Sequence, residues 1–97
     1  MRIHGHGLMQ KFWTNFPDAE KSLRAWFYEA KAASWNMPAE LKAHYRHASI
    51  LKRGRAVFNI CGNKYRLVVH INYDAGIVLI GWLGTHADYD NISAEQI

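Results

Sequence analysis

The sequence predicts an α+β fold, because helical periodicity in the N-terminal half gives way to two-residue periodicity in the C-terminal half. Apolar side chains recur every three or four positions up to residue 33, whereas "KYRLVVHINY" (64–73) alternates between apolar and polar residues. The chain has 97 residues, enough for one small core, so we expect a single domain over 1–97. The predicted element order is β-α-α-β-β-β, with two helices packed on one face of a small antiparallel sheet.

The first strand and first helix are short. Arg2-Ile3-His4 is a plausible opening strand, ended by the glycines on either side of His6. Leu8, Phe12 and Phe16 then recur at four-residue spacing, which predicts a helix over about 7–15.

The second helix is predicted over 18–33, with Asp18 as its N-cap and an ion pair from Glu20 to Arg24 one turn later. A further short helical turn is expected from Pro38 to about Ala43. The apolar face of the long helix follows the i, i+3, i+4, i+7 pattern and comprises Leu23, Trp26, Phe27, Ala30 and Ala33.

Three strands are predicted after residue 54, at 55–60, 64–73 and 77–83, with a tight turn at Gly62-Asn63. On the middle strand, alternation assigns one set of side chains to the core: Tyr65, Leu67, Val69, Ile71 and Tyr73. The opposite face receives the other set: Lys64, Arg66, Val68, His70 and Asn72.

The last hairpin has a predicted register. If Asn72 pairs with Ile77, then residue 68 opposes 81 and residue 66 opposes 83. Gly81 then lies on the same face as Arg66, away from the helices.

The charge distribution favours a polyanionic partner. No Asp or Glu occurs from Leu41 to Tyr73, although this span holds seven of the twelve Lys and Arg residues. Nucleic acid is the leading candidate, and the alternatives are a solvated basic face or an acidic protein partner. No apolar run is long enough to span a bilayer and Cys61 is the only cysteine, so we expect a cytoplasmic protein without membrane contact.

Several polar residues on the helix-free face suit chemistry on a phosphodiester. His86 and Tyr89 could move protons, while Arg66 and Lys64 could stabilise developing negative charge. An ordinary surface histidine is the alternative interpretation. His4 with His6 and His44 with His47 form only half of a metal site each, so neither a metal nor a cofactor is predicted.

Four stretches resemble the HigB-type toxins, mRNA interferases of the RelE-like superfamily. They are "FPDAEKSLRAWFYEAKAASW", "MPAELKAHYRHASIL", "VFNICGNKYRLVVHINYDAGIV" and "GTHADYDNISAEQI". The resemblance implies a RelE-like α+β fold and metal-independent mRNA cleavage on the ribosome, in the A site of the 30S subunit, which inhibits translation. It also implies a HigA-type helix-turn-helix antitoxin, through which alone the toxin would reach operator DNA.

Carried over to this chain, the polar signature of the family falls on Asn59, Asn63, Lys64, Tyr65, Arg66, Thr85, His86, Tyr89 and Asp90. The resemblance places RNA contacts at Lys52, Arg53, Arg55, Asn59 and Asn63, and Arg46 belongs to the same basic span. Tyr65 alternates onto the core face, so its match is expected to be structural.

Gly81 departs from the family pattern, because related toxins have an arginine there that faces the scissile phosphate. Its loss is expected to weaken cleavage on the order of 10²–10³-fold, the usual scale for one preorganised donor. The alternatives to an enzyme are a non-catalytic RNA- or ribosome-binding module and a domain that only binds the antitoxin.

Overall fold

A five-stranded mixed sheet carries three helices on one face in the computed structural model, which describes all 97 residues. The strands are β1 (Arg2–His4), β2 (Ser49–Ile50), β3 (Arg55–Ile60), β4 (Tyr65–Asn72) and β5 (Ile77–Thr85). The helices are α1 (His6–Asn15), α2 (Glu20–Ala32), α3 (Pro38–His44) and α4 (His86–Tyr89), with single 3₁₀ turns at Pro17–Ala19 and Ala94–Gln96. None of the helices has the length and apolar character needed to cross a membrane.

The α+β prediction is confirmed, but the sheet is not wholly antiparallel. Its strand order is β1-β5-β4-β3-β2, and β1 runs parallel to β5 while all other neighbours are antiparallel. The helical turn expected from Pro38 to about Ala43 is confirmed as α3, although the predicted element order did not count it, and β2 and α4 were missed. Residue periodicity predicts where strands lie along the chain. It does not predict the direction in which β1 pairs, because its partner β5 is the last strand of the chain.

Asp18 does not cap the second helix as predicted. The residues from Pro17 to Ala19 form a 3₁₀ turn, α2 begins only at Glu20, and no side chain caps it. The Asp18 carboxylate instead accepts hydrogen bonds from Lys64 and Tyr65, at the start of β4. The predicted ion pair between Glu20 and Arg24 is confirmed at 2.7 Å.

The main core lies between the helices and the sheet. Four side chains on β4 are each at most 3% exposed, namely Tyr65, Leu67, Val69 and Ile71. This confirms the predicted inner face of β4. The helices contribute Met9, Leu23, Trp26, Ala30 and Leu41 to the same cluster. Burial of side chains of this size contributes about 1.5–3 kcal/mol each, so the face of the sheet that meets the helices is fixed.

A second, smaller apolar cluster covers the middle of the opposite face, which the sequence analysis treated as polar. Val57 on β3 and Val68 on β4 are buried there beneath Ala94. The side chains packed around them are Leu51, Trp82, Tyr89, Ile92 and Ile97. The segment after β5 therefore folds back over the helix-free face and divides it into two polar ends.

A β-bulge changes the predicted register of the last hairpin. Asn72 pairs with Ile77 as predicted, but the register shifts between Val69 and Val68. Residue 68 consequently opposes Trp82 and residue 66 opposes Gly84, so the predicted pairs with 81 and 83 are wrong. Gly81 is the extra residue, a position that a small side chain accommodates easily.

Gly81 still lies on the helix-free face, as the sequence analysis expected. A Cβ atom added there would lie 3.0 Å from Cγ2 of Ile97, which belongs to the apolar cluster on that face. A side chain at this position would therefore press on Ile97, which would have to shift slightly.

Candidate functional site

The candidate site forms where β4 begins and β5 ends. Tyr65 pairs with Thr85 and Arg66 with Gly84, so the turn before β4 lies beside α4, which follows β5 directly. This arrangement brings together five polar side chains that the sequence analysis had singled out. We call them the Arg66 cluster: Asn63, Arg66, His86, Tyr89 and Asp90.

The guanidinium of Arg66 is held in place by its own turn. Its Nη2 donates to Oδ1 of Asn63 at 2.7 Å, and its Nη1 donates to the carbonyl oxygens of Asn63 at 3.1 Å and Tyr65 at 3.3 Å. Its Cζ lies 6.0 Å from the centre of the Tyr89 ring, within the range of a cation–π contact. Arg66 is thus a preorganised cation at a partly exposed position.

His86 contacts the same guanidinium through Nδ1, which lies 3.2 Å from Nη2 of Arg66. A guanidinium has no acceptor atom, so this hydrogen bond requires an unprotonated Nδ1. The neutral imidazole therefore carries its proton on Nε2, which lies 3.9 Å from Oδ2 of Asp90. The bond from Arg66 therefore selects the tautomer of His86.

Helix α4 owes its position to a local cap. Oγ1 of Thr85 accepts the backbone N–H of Asp88 at 3.1 Å, and the backbone N–H of His86 donates to the carbonyl oxygen of Lys64 at 3.1 Å. A Thr cap is favourable because it satisfies a helix N–H that has no partner within the helix. The second bond ties His86 directly to the turn that precedes Arg66.

Sequence reasoning missed the contribution of Trp82 and Gly84. The Trp82 indole lies over Gly84, where an added Cβ would come within 2.4 Å of its ring, and its centroid is 6.2 Å from that of Tyr89. Gly84 therefore leaves the space that lets Trp82 pack along β5 against Tyr89. The signal that was available is the Gly-Trp-Leu-Gly pattern, in which two glycines flank a large ring.

Lys64 is not part of the Arg66 cluster. Its ammonium is bound to the Asp18 carboxylate, which also accepts the hydroxyl hydrogen of Tyr65. The hydrogen bond from Lys64, then that from Tyr65, lowers the pKa of Asp18, and the same carboxylate raises the pKa of Lys64. Both Lys64 and Tyr65 serve to attach the start of β4 to the 3₁₀ turn before α2.

The basic residues of the β2–β3 connection lie at the far end of the same face. Arg55 pairs with His70, four residues along β4 from Arg66, which is roughly 13 Å at the usual strand rise. Its Nε and Nη2 donate to the main-chain oxygen of Ile97 at 3.1 and 2.8 Å. Lys52 and Arg53 are exposed in the adjoining turn.

Asn59 lies beside the Arg66 cluster, and Arg46 is not part of the cluster either. Asn59 is exposed on β3 directly opposite Arg66, and Arg46 is exposed in the segment that follows α3. The predicted site residues thus separate into the Arg66 cluster, Asn59 beside it, Arg46 after α3, the distant basic turn with Arg55, and Lys64.

A family model described as HigB toxin, the RelE-like toxic component of a toxin–antitoxin system, matches residues 19–92. The match covers more than half of the chain and runs from the 3₁₀ turn before α2 to beyond α4. It includes every residue of the Arg66 cluster. A comparison with curated proteins gives no match.

The ion pair between Asp18 and Lys64 predicts a pH-dependent stability. Because the pKa of Asp18 is lowered in the folded state, its contribution is present above about pH 4, the unfolded pKa, and is lost as pH falls through the folded pKa. Asp18→Asn should therefore lower the free energy of unfolding at neutral pH, and the difference from the starting protein should shrink in acid.

Urea unfolding followed by tryptophan fluorescence at about pH 7 and about pH 2.5 measures this difference. Asp74→Asn is the control, since Asp74 is exposed and forms no ion pair. An Asp18→Asn deficit of equal size at both pH values would contradict a role for the carboxylate charge.

Proposed function

Because the chain belongs to the HigB family of RelE-like toxins, whose partner is an antitoxin, we propose that this toxin is a metal-independent mRNA endoribonuclease. The observation that carries the proposal is the 3.2 Å contact between the Arg66 guanidinium and Nδ1 of His86. A fixed cation and an imidazole with a defined tautomer are two of the groups that cleavage of RNA by its own 2′-hydroxyl needs, and an acid for the leaving oxygen is the third.

His86 is the proposed general base. In the free protein its Nδ1 lone pair is occupied by Arg66. A substrate phosphate draws the guanidinium towards itself, since charge-assisted bonds to phosphate are stronger than a bond to neutral imidazole. Nδ1 is then free to take the proton of the 2′-hydroxyl, and Asp90 near Nε2 stabilises the resulting imidazolium.

Arg66 is the proposed electrostatic clamp. The 2′-oxygen attacks phosphorus and the bond to the 5′-oxygen breaks, so negative charge builds on the non-bridging oxygens in between. Asn63 accepts one Nη2 hydrogen on its Oδ1 and an Nη1 hydrogen on its carbonyl oxygen. These bonds keep the guanidinium in place after the phosphate has replaced His86 as its other partner.

Tyr89 is the proposed acid that protonates the leaving 5′-oxygen. Its ring lies beside Arg66 and is supported by Trp82. A phenol is a neutral proton donor at physiological pH. The products are a 2′,3′-cyclic phosphate and a 5′-hydroxyl, with no water consumed in the cleavage step.

The remaining basic residues serve RNA binding in this proposal. Lys52, Arg53 and Arg55 would contact phosphates of mRNA or ribosomal RNA at the far end of the face, in the A site of the 30S subunit. Lys64 is left out of the chemistry because its ammonium is bound to Asp18. We further propose that the antitoxin is of the HigA helix-turn-helix type and links the toxin to operator DNA.

We also propose that Gly81 attenuates cleavage. Gly81 lies on the face of Arg66, next to Val68, and offers no cation. An added Cβ would lie 3.0 Å from Cγ2 of Ile97, so an arginine there would require that side chain to shift. This toxin would then rely on Arg66 alone where its relatives use two cations.

Removing the base tests the activity. His86→Ala should lower the rate of mRNA cutting on translating ribosomes by about 10²–10⁴-fold, the usual contribution of one positioned proton-transfer group. Primer extension on mRNA from expressing cells measures it, with His70→Ala as the control, since His70 is exposed at the far end of β4.

Cuts that persist in His86→Ala would refute this mechanism. If the starting protein cosediments with ribosomes but makes no cuts, the chain is instead a non-catalytic ribosome-binding module. If the chain binds the antitoxin but neither binds ribosomes nor cuts mRNA, it is an antitoxin-binding domain.

Restoring a cation tests the attenuation. Gly81→Arg should raise the cutting rate by on the order of 10²–10³-fold, because one preorganised donor is worth that much to a transition state. Gly81→Met is the matched control, since it displaces Ile97 to a similar extent but adds no charge. No gain with arginine, or an equal gain with methionine, would rule out a missing phosphate clamp.

A further inference from the structure

An open cleft of about 550 Å³ adjoins the Arg66 cluster on the outer edge of β3. Its lining includes Tyr45, Arg46, His47, Phe58 and Asn59. Strand β2 pairs only with Ala56 and Val57, so no strand covers the edge of β3 beyond that point. The segment that follows α3 forms the other wall, and the edge of β3 presents main-chain groups without a strand neighbour to the space between.

The cleft borders the proposed catalytic centre at Asn59. Asn59 contributes to its wall and stands directly opposite Arg66 across β3 and β4. Residues paired in this way have Cα atoms about 5 Å apart. A strand of RNA with one phosphate on Arg66 can therefore place its neighbouring nucleotide in the cleft.

The charge of the lining suits a polyanion. No Asp or Glu lines the cleft, whereas Arg46 and His47 do and are exposed. Neither of them is held in an ion pair, so both are available to a phosphate group. An acidic protein segment would satisfy the same charges, but the position of Asn59 directly opposite Arg66 favours RNA.

The aromatic side chains of the wall are held in fixed positions. The Tyr45 hydroxyl donates to Glu29 outside the cleft, and the Tyr45 ring packs edge-on against buried Phe58 at 5.0 Å. The ring of His44, which also lines the cleft, lies 4.5 Å from that of Tyr45. Nε1 of Trp35 donates to Nδ1 of His44 at 3.3 Å, so the neutral ring presents Nε2–H as a donor. Fixed rings beside a hydrogen-bond donor suit a nucleobase.

We propose that this cleft is a nucleotide subsite, which receives the nucleotide next to the scissile phosphate of a single-stranded RNA. The base lies against His44 and Tyr45, Asn59 donates to or accepts from its edge, and Arg46 and His47 bind the adjoining phosphate. The inference rests on the proposed cleavage of RNA for its biological meaning, but RNA binding in the cleft can be measured without any cleavage.

A binding assay with an uncleavable probe makes that measurement. The probe is a fluorescein-labelled single-stranded RNA hexamer in which every 2′-hydroxyl is methylated, so no attacking group remains. Its affinity for the full chain is measured by fluorescence anisotropy at several KCl concentrations. Arg46→Gln is compared with Lys11→Gln, which removes the same charge from an exposed position on α1, away from the cleft.

Arg46→Gln should weaken binding by about 10-fold and reduce the slope of log K against log salt by about 0.7, the value for one phosphate contact to a single strand. Lys11→Gln should leave the slope unchanged. If the two variants behave alike, the subsite is refuted whether or not the toxin cuts mRNA. Loss of cutting in His86→Ala tests the proposed function separately, because the probe cannot be cut.

Amide NMR spectra with the same probe locate the contact. We expect shifts at Tyr45, His47 and Asn59, and inorganic phosphate as a comparison should shift only Arg46 and His47. Shifts confined to the Lys52–Arg55 turn would overturn the proposal. It would also be overturned if the antitoxin shifted the signals of the cleft residues and RNA did not.

Discussion

Pairing between β4 and β5 is the constraint on which the rest of the structure depends. One face of this hairpin is buried beneath α1 and α2, so its register cannot slip without exposing the core. The bulge at Gly81 then shifts the second half of the pairing and sets Arg66 opposite Gly84. As a result β5 ends beside the turn before β4, and His86 comes within hydrogen-bond distance of Arg66. The candidate site is a consequence of that register.

The partners of Lys64 and Arg66 decide which of these two basic residues can act at the site. Asp18 binds Lys64 on one side of the β3–β4 turn, while Asn63 and His86 hold Arg66 on the other. The β3–β4 turn is thereby fixed from both sides. The fixed turn helps to position the Arg66 guanidinium. Asp18 lies 46 residues before Lys64 in the sequence. It therefore contributes to the geometry of the Arg66 cluster without contacting it.

Periodicity and the family resemblance predicted much of the fold and the members of the site, since helix α2, strand β3 and the inner face of β4 follow directly from residue spacing. The parallel pairing of β1, the bulge and the folded-back segment over Val57 and Val68 were not predictable in this way. Each depends on contacts between distant segments that a local pattern does not encode. The same is true of Lys64, whose partner lies on another element, and of Trp82, which needs the empty space above Gly84.

The chemistry of the cut ends tests the central claim. That claim is that the Arg66 cluster promotes attack of the RNA 2′-hydroxyl on the neighbouring phosphate. The ends of mRNA fragments cut by the toxin on translating ribosomes can be identified by mass spectrometry and by whether ligation requires prior phosphorylation. Our account predicts a 5′-hydroxyl on one fragment and a 2′,3′-cyclic phosphate, or the 3′-phosphate formed when it opens, on the other. A 5′-phosphate with a 3′-hydroxyl would show that water attacked phosphorus, and would contradict the roles assigned to His86, Arg66 and Tyr89.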